Sequence, residues 1–392
     1  MSEPASLSVE FVETEKQIPE ALWASCFPSS PESQWWYRLL EGAGINNQFQ
    51  IFYGLLREGN VSVGIVPLFT MELALEFIVP KWMIALLAWL GKMLPSLSQP
   101  RILFVGSPCS DEGAIGLLPN IDRRAAMEAI HHALEREAEI RGTGMIVWKD
   151  FPESYESDFD WFARRMGYFR MVDFPGAVVD LASSRKEDYF AAMKRSRRHD
   201  IRRKLKQSAQ ALVAEVEILQ KPDAATLECL FGLFVQTRDR AKNQFERLDY
   251  RFFERAAEEP TAHFILLRES HSRDIVAFSL CFEIGGVVIN KHIGLDYTRP
   301  REWFLLFRLF DVTVDWALAR NARAIHSGQS GYSAKIQQGH RLVPLTNYGR
   351  HRNGLFHRIA AAVTRRISWS TLDDDLAEFE RAHPESNSKR RD

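Results

Sequence analysis

The stretch VVINKHIG, from Val287 to Gly294, reads as a strand whose alternation puts Asn290, His292 and Gly294 on one face and Val287, Ile289, Lys291 and Ile293 on the other. A polar strand face predicts a wet cleft. Imidazole titrates near neutrality, so His292 suits a general base, and the Asn290 amide suits the orienting of a carbonyl. A structural histidine with satisfied hydrogen bonds fits the same position. In the preceding stretch FSLCFEIGG, Ser279, Cys281 and Glu283 share one face and Phe278, Leu280 and Phe282 the other. Glu283 is then either a base acting through water in that cleft or an exposed glutamate at a hairpin end.

The stretch HSGQSGYSAKIQQGH has the composition of a binding loop. Gly328, Gly331 and Gly339 allow a tight turn and close approach of a ligand, while Gln329, Tyr332 and Lys335 supply an amide, a phenol and an ammonium within seven residues. Tyr332 suits protonation of a leaving group and Lys335 the neutralising of a phosphate or carboxylate, although the same residues also build ordinary turns. Together these candidates offer a base, hydrogen-bond donors and a cleft, the parts a group transfer between two bound reactants needs. The chain has no Ser/His/Asp elbow, Walker loop or dinucleotide fingerprint, so direct transfer without a covalent enzyme intermediate is the simpler expectation.

A third group of candidates lies in MKRSRRHDIRRKLKQ, with eight Lys or Arg and one Asp between Lys194 and Lys206. Helical spacing puts Phe190, Met193, Ile201 and Leu205 on one stripe, with Arg197 inside it and Lys194 at its border. The remaining cations fan outward as a solvated face. Arg197, on the packed side, must find an anion or snorkel, so Arg197 and Lys194 are candidates for holding a substrate phosphate or carboxylate.

These residues must be held by regular elements, and the sequence repeats its elements. FYGLLREGNVSVGIVPLFTMEL resembles HFILLRESHSRDIVAFSLCFEI, and both read as β-hairpins. Further on, RAAMEAIHHALEREAEIRG leads into strand GMIVWKD, as FRLFDVTVDWALARN leads into ARAIHSG. The offset falls from 211 between Leu55 and Leu266 to 179 between Met145 and Ala324, so the first half carries 32 extra residues between hairpin and helix. Each half reads as hairpin, helix, strand, helix, strand. The first closes with the strand FRMVDFPGAVVDL, and the second with LVPLTNY and the helix GLFHRIAAAVTRRISW.

Composition narrows the function classes. Fifty Lys and Arg against 51 Asp and Glu exclude a polycation that coats nucleic acid, so any basic function is local. Four scattered cysteines, Cys26, Cys109, Cys229 and Cys281, form neither a disulfide framework nor a metal-binding pattern, and no metal is expected. The acidic start lacks an export signal, which points to the cytoplasm. PKWMIALLAWLGKMLP is too short to span a bilayer, so no transmembrane helix is expected. Its two tryptophans and flanking lysines suit a buried helix, a flap over a ligand, or peripheral membrane contact through residues 80–95.

The order of elements, the stretch DYFAAMKRSRRHDIRRKLK, the second hairpin and the ending GQSGYSAKIQQGHRLVP resemble the tandem GNAT-fold acyltransferases grouped as FemAB-like or CelD/BioF2-like, over roughly residues 40–350. The resemblance implies an α/β fold of two tandem GNAT-like domains, each a mixed central sheet flanked by helices, joined by a basic helix. Its boundaries are a first domain over 1–183 with an apolar insertion near 73–104, the basic helix over 184–210, a second domain over 211–370, and a C-terminal tail over 371–392 whose end, HPESNSKRRD, is expected to fray. It implies transfer of an acyl or aminoacyl group to an amine, with acyl-CoA or another acyl donor as co-substrate and a small-molecule or cell-envelope precursor amine as acceptor. The stretch YTRPREWFLLF holds no glycine where acetyl-CoA binders carry a glycine-rich pyrophosphate loop. Three readings follow: a thioester-dependent N-acyltransferase, an aminoacyl-tRNA-dependent transferase with tRNA as a partner, and a non-catalytic binder of anionic polymer or membrane surface.

Overall fold

Two hairpins nucleate two sheets. The computed structural model describes residues 7–28, 30, 32–72, 101–181, 185–241 and 246–383. It divides into a first unit of residues 1–41, 45–174 and 344–392 and a second of residues 42–44 and 175–343. The first sheet holds β1 (Leu7–Val12), β2 (Gln50–Glu58), β3 (Val61–Glu72), β4 (Arg101–Val105), β5 (Gly116–Leu117), β6 (Met145–Pro152), β7 (Phe169–Val172) and β15 (Leu345–His351). The second holds β8 (Gly176–Asp180), β9 (Ala214–Leu219), β10 (Ala262–Glu269), β11 (Ile275–Ile284), β12 (Val287–Leu295), β13 (Ala324–His326) and β14 (Arg341–Val343). The predicted hairpins are β2–β3 and β10–β11.

The sheets follow one plan. Their orders are β1-β2-β3-β4-β6-β15-β7, with β5 beside β3, and β9-β10-β11-β12-β13-β8-β14. Each opens with four antiparallel strands and then gains one parallel neighbour, β6 beside β4 and β13 beside β12. Parallel neighbours require a crossover, and a helix supplies it in each unit: Arg123–Ile140 before β6 and Leu305–Ala319 before β13. The first of these starts where the Asp122 carboxylate accepts the Ala125 N–H at 2.7 Å. Ala126, Met127, Ile130, Leu134 and Ala138 recur at three- and four-residue spacing and are buried against Trp148, Phe159 and Phe162. In that core Phe159 stacks on Tyr348 with ring centroids 4.2 Å apart, and burying one such phenylalanine contributes roughly 1.5–3 kcal/mol.

The closing strands depart from the sequence expectation. FRMVDFPGAVVDL is two strands: β7 ends at Val172 in the first sheet and β8 begins at Gly176 in the second. LVPLTNY likewise divides at Pro344 into β14 in the second sheet and β15 in the first. Pro175 and Pro344 stand at the two crossings; proline has no N–H to donate to a ladder, so each ends a strand where the chain changes sheets. The domain boundaries expected at 183 and 370 therefore move to 174/175 and 343/344, and the residues from 344 onward belong to the first unit.

The basic segment expected over 184–210 is two helices, Lys186–Ala191 and Arg195–Ala211, with Lys194 as the cap between them, and both belong to the second unit. The insertion expected near 73–104 cannot reach 104, because Arg101–Val105 is β4, paired with β3 and β6; residues 73–100, including the candidate membrane contact 80–95, lie outside the described residues. Within the expected tail, residues 374–382 form the helix Asp374–Ala382 with Leu376 and Glu380 buried, and the stretch expected to fray lies, after His383, outside the described residues.

Candidate active site

The cleft expected along β12 is undone by one residue. Directly paired residues of an antiparallel ladder project to the same face, and here Cys281 pairs with Asn290 while Leu280 pairs with His292. Lys291 is thus an extra residue, a β-bulge that turns the alternation over. Asn290 shares the face of Cys281, where its side-chain oxygen accepts the Ser279 hydroxyl at 2.6 Å. His292 shares the opposite face, half-buried among the rings of Phe234, Phe252 and Phe253 at centroid distances of 5.4, 5.3 and 6.3 Å. Glu283 is on neither His292's face nor a shared cleft: its carboxylate pairs with Arg320 at 3.0 Å.

The loop residues do come together, but around the backbone. Tyr332 is fully buried and its phenol donates to the Pro175 carbonyl at 2.8 Å, which occupies the proton expected to reach a leaving group. The Lys335 ammonium donates to the carbonyls of Ser327, Gly328 and Gln329, the last two at 3.2 and 3.1 Å. Its charge ties the loop down. His340, not singled out from sequence, completes this network: Nδ1 faces the Lys335 carbonyl at 2.9 Å and Nε2 the Ser327 hydroxyl at 2.8 Å. Burial, reinforced by the Lys335 cation, pushes its pKa down to about 3.

Arg197 is half-buried, and its guanidinium makes no hydrogen bond or ion pair among the described residues. Lys194 is exposed at the cap of its helix. The helix is joined to the loop by Lys204, whose ammonium donates to Gln337 Oε1 at 2.6 Å. Phe190, Met193 and Ile201 are buried as their spacing predicts.

The most demanding cluster lies in the first unit and was missed from sequence. β6 is apolar from Met145 to Trp148 and then carries Lys149 and Asp150, both buried, with Asp150 at 0% exposure. Asp150 adopts φ +60°, a left-handed conformation costing a non-glycine residue about 1–3 kcal/mol, which the surroundings must sustain. Its N–H donates to Asn347 Oδ1 at 2.6 Å, and its carbonyl accepts the Gly113 N–H at 2.8 Å. Gly113 is obligatory, since a Cβ there would lie 2.0 Å from the Lys149 carbonyl oxygen. The Lys149 ammonium pairs with the Asp150 carboxylate.

Asp173, just after β7, completes the cluster. Asn347 Nδ2 donates to its Oδ2, the Phe174 N–H donates to its Oδ1 at 2.7 Å, and the Trp369 indole N–H donates to its carbonyl at 3.0 Å. Burial, then the charge of Asp150 and a hydrogen bond with it, hold the Asp173 carboxyl well above the usual carboxylate range, with Lys149 opposing. As a residue, Asp173 keeps part of its surface open. Trp148, immediately before Lys149, pairs with Val105 at the carboxyl end of the parallel β4/β6 pair, where open α/β sheets bind ligands. Such an arrangement can accept and return a proton above the usual carboxylate range.

His131, His132 and Glu135 offer ligand atoms within 4.8 Å of one another. The Arg350 guanidinium already supplies the cation there, with Nη1 2.8 Å from His131 Nε2 and Nη2 3.0 Å from Glu135. Two open depressions of about 550 and 330 Å³, lined by Gln207, Arg301 and neighbours and by Lys221, Tyr250 and neighbours, share no residue with either cluster. Among the described residues no helix is long and apolar enough to cross a membrane.

Comparison with known proteins places the fold. The FemAB-like family, described by peptidoglycan biosynthesis and recognition, matches residues 128–381. Among solved structures, FemX is 11% identical with a TM-score of 0.59, covering 89% of this chain and 99% of FemX. L-PGS from Bacillus licheniformis is 12% identical with a TM-score of 0.52 over 83% of this chain and 91% of its own. A tandem GNAT protein from the clavulanic acid biosynthesis pathway is 11% identical with a TM-score of 0.50 over 88% and 99%. At these identities the likeness is one of fold, and it makes each unit GNAT-like. No curated protein matches the sequence.

Proposed function

Because the chain belongs to the FemAB-like family, and is by that membership a transferase of acyl or aminoacyl groups, we propose that it joins an acyl group to an amine at the Lys149, Asp150 and Asp173 cluster. Asp173, the member with open surface, takes a proton from the attacking amine as nitrogen bonds to the donor's carbonyl carbon. The carbon–sulfur or carbon–oxygen bond to the leaving group breaks, and Asp173 returns the proton to the departing sulfur or oxygen. Atoms balance with no covalent enzyme intermediate. Asp150 and Asn347 are positioning residues: the first raises the basicity of Asp173 and the second fixes its direction. The observation that carries this reading is the pairing of Asp150, buried in a left-handed conformation near the carboxyl end of the parallel β4/β6 pair, with the partly open carboxyl of Asp173 just after β7.

The donor is read as a thioester such as acyl-CoA and the acceptor as an amine of a cell-envelope precursor. An aminoacyl ester of tRNA is the alternative donor: in the second unit no glycine lies between Leu295 and Leu305 and Phe304 takes φ +44° ahead of its crossover helix, whereas the first unit carries Gly106, Gly113 and Gly116 between β4 and its own crossover helix. A backbone without glycine approaches a pyrophosphate less closely. Purified protein incubated separately with acyl-CoAs and with charged tRNA, plus an amine panel, should yield an amide detectable by mass spectrometry with one donor. Salt-sensitive polyanion binding without product from either would favour a binding protein.

A further inference from the structure

The helix Gly354–Thr364 of the first unit is packed the wrong way round for a helix of a water-facing surface. It rests on the protein through its small and polar side: the His357 ring stands 5.1 Å from Phe169, and Thr364 is its buried residue. Leu355, Phe356 and Ile359 point outward at 67%, 36% and 41% exposure, three of the nine large hydrophobic residues exposed among those described. Helical spacing joins them into one stripe.

Charge decides what can cover that stripe. Arg350 and Arg352, ahead of the helix, are paired with Glu135 and Glu139, but from Gly354 to Leu372 the chain carries three arginines and no aspartate or glutamate, although 51 of its 392 residues are acidic. Arg358 and Arg365 are exposed, and their guanidinium groups make no hydrogen bond or ion pair among the described residues. A second copy docked on this stripe would set like charges against each other, whereas an anionic lipid surface offers acyl chains to the stripe and headgroup charge to the arginines. We propose that this helix seats the protein in the headgroup layer of an anionic lipid bilayer. Such binding requires no acyl transfer, so its failure would leave the reaction at Asp173 untouched.

Co-sedimentation of the full chain with phosphatidylcholine vesicles, with and without phosphatidylglycerol, tests it. Binding is expected only with phosphatidylglycerol and weakens with added salt. Leu355→Glu with Ile359→Glu should reduce it at least about tenfold. Arg358→Gln with Arg365→Gln should reduce it roughly 25-fold, from about 1 kcal/mol per arginine. All four sites are exposed, and circular dichroism checks that the variants fold. Absence of binding to either vesicle, binding unchanged in both variants, or a dimer abolished by the leucine and isoleucine changes without vesicle binding would each overturn the proposal.

Discussion

Asn347 donates its side-chain amide to the Asp173 carboxylate across 174 positions of sequence, while its side-chain oxygen accepts the Asp150 N–H at 2.6 Å. One side chain thus holds a carboxyl and the backbone of that carboxyl's partner. The strand that delivers it, β15, enters the first sheet only after the chain has traced the second unit, between Pro175 and Val343.

Removing this clamp should affect both stability and rate. Asn347→Ala leaves the buried Asp150 N–H unpaired, which costs about 1–3 kcal/mol by urea unfolding. Turnover, followed by mass spectrometry of the amide, should fall at least about tenfold as the carboxyl loses its direction.

The pH–rate profile should report Asp173. Activity rises with pH as its carboxyl gives up a proton, and this limb lies above the usual carboxylate range. Asp150→Asn removes a negative neighbour and shifts the limb to lower pH. Lys149→Met removes the opposing cation and shifts it to higher pH. A limb unmoved by both changes would take Asp173 out of the reaction.

Stability should fall in acid through two buried histidines. Burial lowers His340 to about 3 and, with the Arg350 cation assisting, His131 to about 4. Both folded-state values lie below the unfolded value near 6.5, so the unfolded chain binds protons more readily. Their contribution is complete above about pH 6.5 and is lost as pH falls from there toward 4 and 3, at up to about 1.4 kcal/mol per pH unit for each histidine. Asp173, raised in the folded state, contributes the opposite slope above the usual aspartate range. Urea unfolding across pH 4–7 should flatten in His340→Asn, once the lower overall stability of that variant is allowed for.

The residues most suggestive in sequence should prove structural. Tyr332→Phe removes a buried hydrogen bond to the Pro175 carbonyl and should cost about 1 kcal/mol of stability with turnover unchanged. His292→Leu should behave similarly, keeping a hydrophobic body among Phe234, Phe252 and Phe253. Turnover lowered tenfold in either folded variant would return the site to the second unit.

Local pattern made the hairpins, crossover helices and internal repeat legible, because alternation and 3.6-residue spacing act over a few residues. The reciprocal exchange of β8 and β15 was not, since a strand's sheet is chosen by distant neighbours; Pro175 and Pro344 marked the crossings without naming the destinations. A bulge at Lys291 reversed the reading of His292, because period two fails once a residue is inserted. Lys149 and Asp150 left a signal, two charges directly after an apolar run. Asp173 and Asn347 left none, as their meaning depends on a contact between residues far apart in sequence.

The amide yield of Asp173→Asn against the parent, measured with the donor that the parent uses, tests the central claim most directly. The substituted side chain keeps its shape and cannot take the proton, so the rate should fall about a hundredfold or more while the unfolding midpoint stays close to that of the parent. A folded Asp173→Asn protein working within about threefold of the parent rate would contradict proton transfer at this carboxyl.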